Sequence, residues 1–414
     1  MEQRGISGNW YFWVFVAIYP GFFFYQTAIG VDAIKPILGG YFGLASAASF
    51  AVCLAAIIRN TLRTRPTVHL IDLLVFFLLA LIILVAMIHL LTGGKPDVPY
   101  WHFGLVYQAL LAYILFSLMR MGAKEKIVIR LILFMMFACA LLFSDGLAMD
   151  FRSAHQGSTH YASYQGFALP VLLTLLLCVV GSEKIIARAA MYAAGIVSLH
   201  WIGARSETLL AVMFFMTFEL LLAKNKSLLV SIAIPAAFIV GAYIIFAGID
   251  GRISTVANLS SDESFTIRSE ITETALTHIM DSPIIGAYAY YDMGYYPHNL
   301  LAIWVDLGLA GLFLFFALLI ACTLTLVAAS FGKAPDGLQL RAAAAALLLS
   351  SALMVVAAKH YTYVPFVAAV AMTARASRGS PATGSNHVKV ASVGYPKRSE
   401  ASSSRVCRPD SYLL

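Results

Sequence analysis

Charge is what this chain has least of. Lys, Arg, Asp and Glu make up 12% of its 414 residues, against 60% apolar side chains and a mean hydropathy of +0.82. Soluble domains carry roughly twice that charge, so a soluble enzyme is excluded. The apolar residues are also too many for a single membrane anchor. Cysteine is sparse: Cys53, Cys139, Cys178 and Cys322 fall inside apolar runs and Cys407 stands near the end, so no pair invites a disulfide or a metal site. Missing too are a DxD motif, a His/Asp/Glu cluster at metal-ligand spacing, a repeat of fixed period, and the small-residue cleavage site of a signal peptide.

What the chain has in quantity is long apolar runs. A helix needs about 20 residues to cross a ~30 Å hydrocarbon core. Twelve runs approach that length, at 10–29, 38–58, 70–92, 103–119, 127–145, 163–181, 185–202, 207–223, 227–247, 309–330, 341–358 and 361–374. The expected fold is an all-α polytopic membrane protein with about 12 transmembrane helices. Lys and Arg concentrate in cytoplasmic loops. With both termini cytoplasmic, 21 of the 28 basic residues lie inside, and the seven outside are Lys35, Lys95, Arg152, Arg205, Arg252, Arg268 and Lys359. The net charge of +7 is then a signal of topology and gives no reason to expect nucleic acid as a partner.

Two outer segments, about 144–162 and 248–297, exceed the roughly 15 residues of an ordinary connection. In the second, Ile267, Ile271, Ala275 and Ile279 recur every four residues, which predicts a short amphipathic helix on the outer surface. DSPIIG ends it with Pro283 and Gly286. The tyrosine-rich AYAYYDMGYYP follows, suited to the headgroup level or to stacking on sugar rings. Residues 1–375 read as one transmembrane domain. Residues 376–414, rich in Ser, Gly and Pro with six Lys and Arg, read as a disordered basic cytoplasmic tail able to touch membrane lipid.

Three outer residues stand out. Arg205 lies in the tight turn HWIGARSETLL, where a charge so near membrane depth needs a partner. Arg268 lies on the amphipathic helix, and His298 opens PHNLLAIWVDLGLAGLFLF. Arginine recognises phosphate with two parallel hydrogen bonds. Two arginines can hold a diphosphate and stabilise it as a leaving group without a metal. A histidine can take a proton from a sugar hydroxyl at neutral pH. Each residue also has a plainer reading. Arg205 can pair with Glu207 or a lipid phosphate, and Arg268 with Glu270 or Glu273. His298 can sit at the interface with Asn299 capping the next helix, and Gly308 and Gly311 can simply let helices pack closely.

In their order, GARSETLLA, FTIRSE, DSPIIGAYA and PHNLLAIWVDLGLAGLFLF resemble the O-antigen ligase and polymerase superfamily, over roughly 205–320. One departure is Ala204-Arg205-Ser206, where such proteins often have Ser-Arg-Gly. The resemblance implies a GT-C-like, metal-independent, inverting glycosyltransferase in the bacterial inner membrane with a periplasmic active site and no cofactor. It implies an undecaprenyl-diphosphate-linked glycan as donor, and lipid A-core, a lipid-linked glycan or a protein hydroxyl as acceptor. It further implies that Arg205 and Arg268 bind the diphosphate, that His298 activates the acceptor, and that Asn299 beside it binds substrate. Tyr164 and Gln165, in STHYASYQGFALP, would join the acceptor or sugar site or serve only packing. The alternatives are a transporter or flippase for a lipid-linked or anionic substrate and a non-catalytic scaffold. Against transport, mid-span charges are few, and Glu219 sits near the cytoplasmic end of its run where it can snorkel.

Overall fold

A computed structural model describes residues 10–36, 41–63, 68–144, 149–151, 161–223, 263–292, 295–330 and 337–378. All belong to the first of two units into which the chain divides, 1–380, and the second, 381–414, contains none of them. Among the described residues every regular element is an α-helix: α1 (Trp10–Ile18), α2 (Pro20–Gly30), α3 (Tyr41–Arg63), α4 (Leu70–Leu91), α5 (Asp97–Leu118), α6 (Ala123–Phe143), α7 (Tyr164–Val180), α8 (Ile185–Ile202), α9 (Arg205–Leu222), α10 (Glu263–Asp281), α11 (Leu301–Ser330), α12 (Leu338–Ala357) and α13 (Val364–Arg378). Seven of these stretches, with α1 and α2 taken together, are long and apolar enough to cross a membrane. The protein is an all-α, multi-pass membrane protein. Eleven of the twelve predicted runs overlap a helix, and the twelfth, 227–247, lies outside the described residues. The last helix continues to Arg378, three residues into the segment read as tail.

The apolar residues divide into two sets. Phe12, Phe15, Phe23, Phe116, Phe167, Phe214, Phe218, Phe315 and Phe366 are fully buried and form the core between helices. Phe76, Phe77, Leu84, Leu131, Met135, Phe313 and Leu324 point outward from α4, α6 and α11. A helix apolar on all sides is stable in that position only where lipid replaces water. Helix α13 is buried almost throughout and packs against α5 and α12. Helix α12 packs on α9, and α4 on α11.

Local chemistry at one end of the bundle sets the site. Helix α8 stops at Gly203, whose φ of 83° is the left-handed conformation glycine adopts without a steric penalty. The Gly203 N–H donates to His200 O at 2.9 Å and Ala204 N–H to Leu199 O at 3.0 Å, so Arg205 can begin α9 at once. Helix α11 is broken at Gly308 (φ 63°, ψ −161°). The PIIG segment after α10 enters this break. Leu309 N–H donates to Ile284 O (3.1 Å), Ala287 N–H to Val305 O (2.7 Å) and Trp304 Nε1 to Pro283 O (2.9 Å). Backbone groups freed inside a membrane helix must find such partners. The close packing expected at Gly308 is therefore backbone against backbone. A Cβ there would collide with the carbonyl of Ile284 and lie 2.6 Å from the carbonyl carbon of Ile285. Gly308→Ala is expected to cost about 3 kcal/mol or more, from strain and collision together. A thermal melt of the purified protein checks this, and an unchanged midpoint would contradict it.

Candidate functional site

Helix α10 carries the expected apolar stripe on its second half. Ala275 and Ile279 are buried against Val305, with Leu301, Trp304 and Tyr290 packed around them. Ile267 and Leu276 remain exposed. The stripe fixes α10 over the start of α11, and burying Ile279 contributes about 1.5–3 kcal/mol. Arg268, on the first half of α10, is exposed.

Residues 282–292 and 295–300 then fold over one end of the bundle. His298 packs on Tyr296, with ring centres 4.3 Å apart, and Tyr296 in turn packs on Trp101 (4.6 Å) and on His360 (5.5 Å). His298 is held near pKa 4, well below the ordinary value of 6.5, first by burial and then by the positive charges of Arg268 and Lys359 and by His360. It is therefore neutral at pH 7. Burial pushes Tyr290 up to about 12 and raises Tyr288, Tyr291 and Tyr296 as well, so these phenols stay protonated. Lys95, from the α4–α5 turn, pairs with Asp292 at 3.4 Å where both are exposed, a contact worth under about 1 kcal/mol.

Arg205 opens α9 at the same end and is exposed. Two residues on, Glu207 is buried and accepts from Lys359 Nζ at 2.5 Å and from Ser206 Oγ at 2.8 Å. Lys359, whose charge acts on His298, thus ties the start of α9 to the α12–α13 turn. Glu207, one of the two partners the sequence offers Arg205, holds Lys359. Asn299 Oδ1 accepts from Leu301 N–H at 3.0 Å, so its side-chain oxygen serves the start of α11. Tyr164 and Gln165 open α7 and bond to each other, Nε2 to Oη at 3.3 Å. The structure thus sets Arg268 and Lys359 near enough for their charges to lower the pKa of His298, and places Arg205 at the same end.

Beneath this group lies a constellation that motif spacing does not reveal. His102 from α5, Asp306 from α11 and His360 from the α12–α13 turn converge, with one potential ligand atom from each within 4.8 Å of the others. Their side chains are 0%, 0% and 8% exposed. Tyr291 Oη donates to both Asp306 oxygens (2.9 and 3.1 Å) and Tyr361 Oη to Oδ2 (3.2 Å). The sequence signals were faint: Trp101-His102 just before a predicted run, and KHYTY at 359–363 where the last run begins.

The opposite end is built on arginine. Arg188 makes a two-pronged ion pair with Glu219 (2.6 and 2.7 Å), both nearly buried, and donates to the Ser182 and Glu183 carbonyls (3.2 and 2.7 Å). Glu219 therefore does not snorkel, because Arg188 on the neighbouring helix meets it inside the protein. Arg130 donates to Gly181 O (3.1 Å) and Ser182 Oγ (2.8 Å), and Arg375 to Met119 O. The four described cysteines are free.

No protein-family model matches the chain, and a search of curated proteins finds no significant match to it.

Proposed function

We propose that the protein is a membrane glycosyltransferase acting at the end of the bundle that carries α10, on a glycan linked to a polyprenyl diphosphate such as undecaprenyl diphosphate. One observation carries the reading: a neutral, partly buried His298 lies within the field of two cations, Lys359 and the Arg268 of the amphipathic helix α10. Burial first and these cations second keep the histidine neutral, and cations so placed can receive a diphosphate. The histidine they protect is a base for a hydroxyl. In the proposed step the acceptor oxygen attacks the anomeric carbon, and the bond from that carbon to the diphosphate oxygen breaks. The hydroxyl proton passes to His298, and the diphosphate leaves with its charge held by Arg268 and Arg205. Direct displacement inverts the anomeric centre. The arginines at the other end agree with a cytoplasmic side there and an outer, periplasmic side at His298. The acceptor is a sugar hydroxyl, of lipid A-core or of a second lipid-linked glycan.

A proline, two isoleucines and a glycine seat the loop in the broken helix, so two of the motifs behind the resemblance, DSPIIGAYA and the helix after PHN, pack against each other. The break at Gly308 is also what a transporter uses, since discontinuous helices expose backbone groups to a substrate near the midplane. Here the freed groups of Val305 and Leu309 are taken up by Ala287 and Ile284, which favours transfer over transport.

Arg268→Lys is expected to lower transfer about tenfold or more, because lysine keeps the charge but loses the planar pair of donors. The measurement is glycan transfer per folded protein in membranes. Activity equal to wild type would remove Arg268 from the diphosphate site.

A further inference from the structure

We propose that His102, Asp306 and His360, closed by Tyr361, hold a divalent transition-metal ion of the zinc class, as a structural staple under the His298 site. The inference rests on the geometry of these four side chains and does not depend on glycosyl transfer.

His102 Nε2 lies 3.5 Å and His360 Nε2 lies 3.7 Å from the same oxygen, Asp306 Oδ2. Direct hydrogen bonds between such atoms are about 2.7–3.2 Å long. A zinc ion bound at about 2.0–2.2 Å sets neighbouring ligand atoms at roughly 3.3–3.6 Å in a tetrahedron. The separations are long for hydrogen bonds and near those around a shared cation, with the three ligand atoms all within 4.8 Å of one another, so binding would draw them slightly together. Tyr361 Oη lies 3.2 Å from Oδ2 and 3.5 Å from His102 Nε2, which closes a fourth side.

His360 Nε2 is buried and has no hydrogen-bond partner. A buried polar atom left so is costly, and it points at the proposed ion. Both imidazoles are fixed through the other nitrogen. His102 Nδ1 contacts Tyr288 Oη at 2.8 Å, and His360 Nδ1 contacts Thr362 Oγ1 at 2.8 Å. The tautomer with its hydrogen on Nδ1 presents the Nε2 lone pair, as metal-bound imidazoles do; at His360 the Thr362 N–H lies 3.4 Å from Nδ1 and favours the other tautomer until an ion binds. Tyr291 steadies the carboxylate in the same way.

Two imidazoles and a carboxylate suit zinc-like ions better than Mg²⁺ or Ca²⁺, which take oxygen ligands. With no ligand side chain more than 8% exposed, the site has the closed form of a structural metal. Its three main ligands come from α5, α11 and the α12–α13 turn, so one ion would join three segments far apart in sequence. Tyr296 and Trp101, packed on His360, carry that rigidity to His298.

The test uses the full chain in detergent, stripped with chelator and then titrated with Zn²⁺ or Co²⁺. The wild type is expected to bind about one equivalent, to give the visible bands of tetrahedral Co²⁺, and to melt several degrees higher with Zn²⁺ than without. His102→Gln and His360→Gln are expected to hold less than about a tenth as much, whereas His298→Gln keeps the full equivalent. A folded wild type that shows no Co²⁺ bands and no metal-dependent rise in melting temperature would overturn the proposal. The four side chains would then be a hydrogen-bonded network with no ion. Should the glutamine variants fail to fold, the wild-type titration decides alone. Failure of the transfer assay would leave this result untouched.

Discussion

His298→Ala should lower glycan transfer about 10²–10⁴-fold, the usual worth of a positioned general base, with little change in the amount of folded protein in the membrane. Surface polysaccharide from cells complemented with the variant should match that of cells lacking the gene. The pH dependence sharpens this prediction. In the free protein His298 is depressed from 6.5 to about 4, first by burial and then by Arg268, Lys359 and His360. The acid limb of kcat/KM should therefore fall near pH 4–5 and not near 6.5. A bound diphosphate brings negative charge against the same cations, so the limb of kcat should lie at higher pH than that of kcat/KM. Arg268→Gln removes one cation, and its kcat/KM limb should move up towards 6.5. A limb that stays in place would remove Arg268 from His298's surroundings. The same depression has a sign for stability. Between about 6.5 and 4 the unfolded chain binds a proton that folded His298 refuses. This contribution is full above pH 6.5 and is lost as pH falls through that window.

Glu219→Ala should destabilise the protein by about 3–5 kcal/mol, because it strands the Arg188 guanidinium among buried groups. The loss should appear as a large drop in melting temperature and in the yield of folded protein. Replacing both members with apolar residues, Arg188→Met with Glu219→Leu, should recover most of it, since a buried pair gains little over good apolar packing. A Glu219→Ala protein as stable as wild type would mean that the pair does not hold α8 to α9.

Helix positions were largely legible in the sequence because membrane thickness dictates them. Each expected run that falls on described residues overlaps a helix, and the period-four stripe of α10 is seated by Ala275 and Ile279. The tight turn at Gly203-Ala204-Arg205 was legible as a turn, though its cause, the left-handed glycine, needed coordinates. Two things could not be read. Gly308 looked like a packing glycine, yet the PIIG segment that needs it lies more than twenty residues earlier, across a loop. His102, Asp306 and His360 each look like an isolated polar residue at the mouth of an apolar run. Only the packing of α5, α11 and the α12–α13 turn puts them together. Glu219 was misjudged for a similar reason: its partner stands on another helix, and one-dimensional position suggested water.

The most direct test of the central claim is a reconstituted reaction. The purified protein in proteoliposomes is given a labelled glycan on undecaprenyl diphosphate and a sugar-hydroxyl acceptor, and wild type is compared with His298→Ala. The account predicts labelled glycan on the acceptor with the anomeric centre inverted, free undecaprenyl diphosphate in equal amount, and loss of both in the variant. Labelled glycan that crosses the bilayer still attached to its lipid, with no transfer to the acceptor and the same result from wild type and variant, would contradict it.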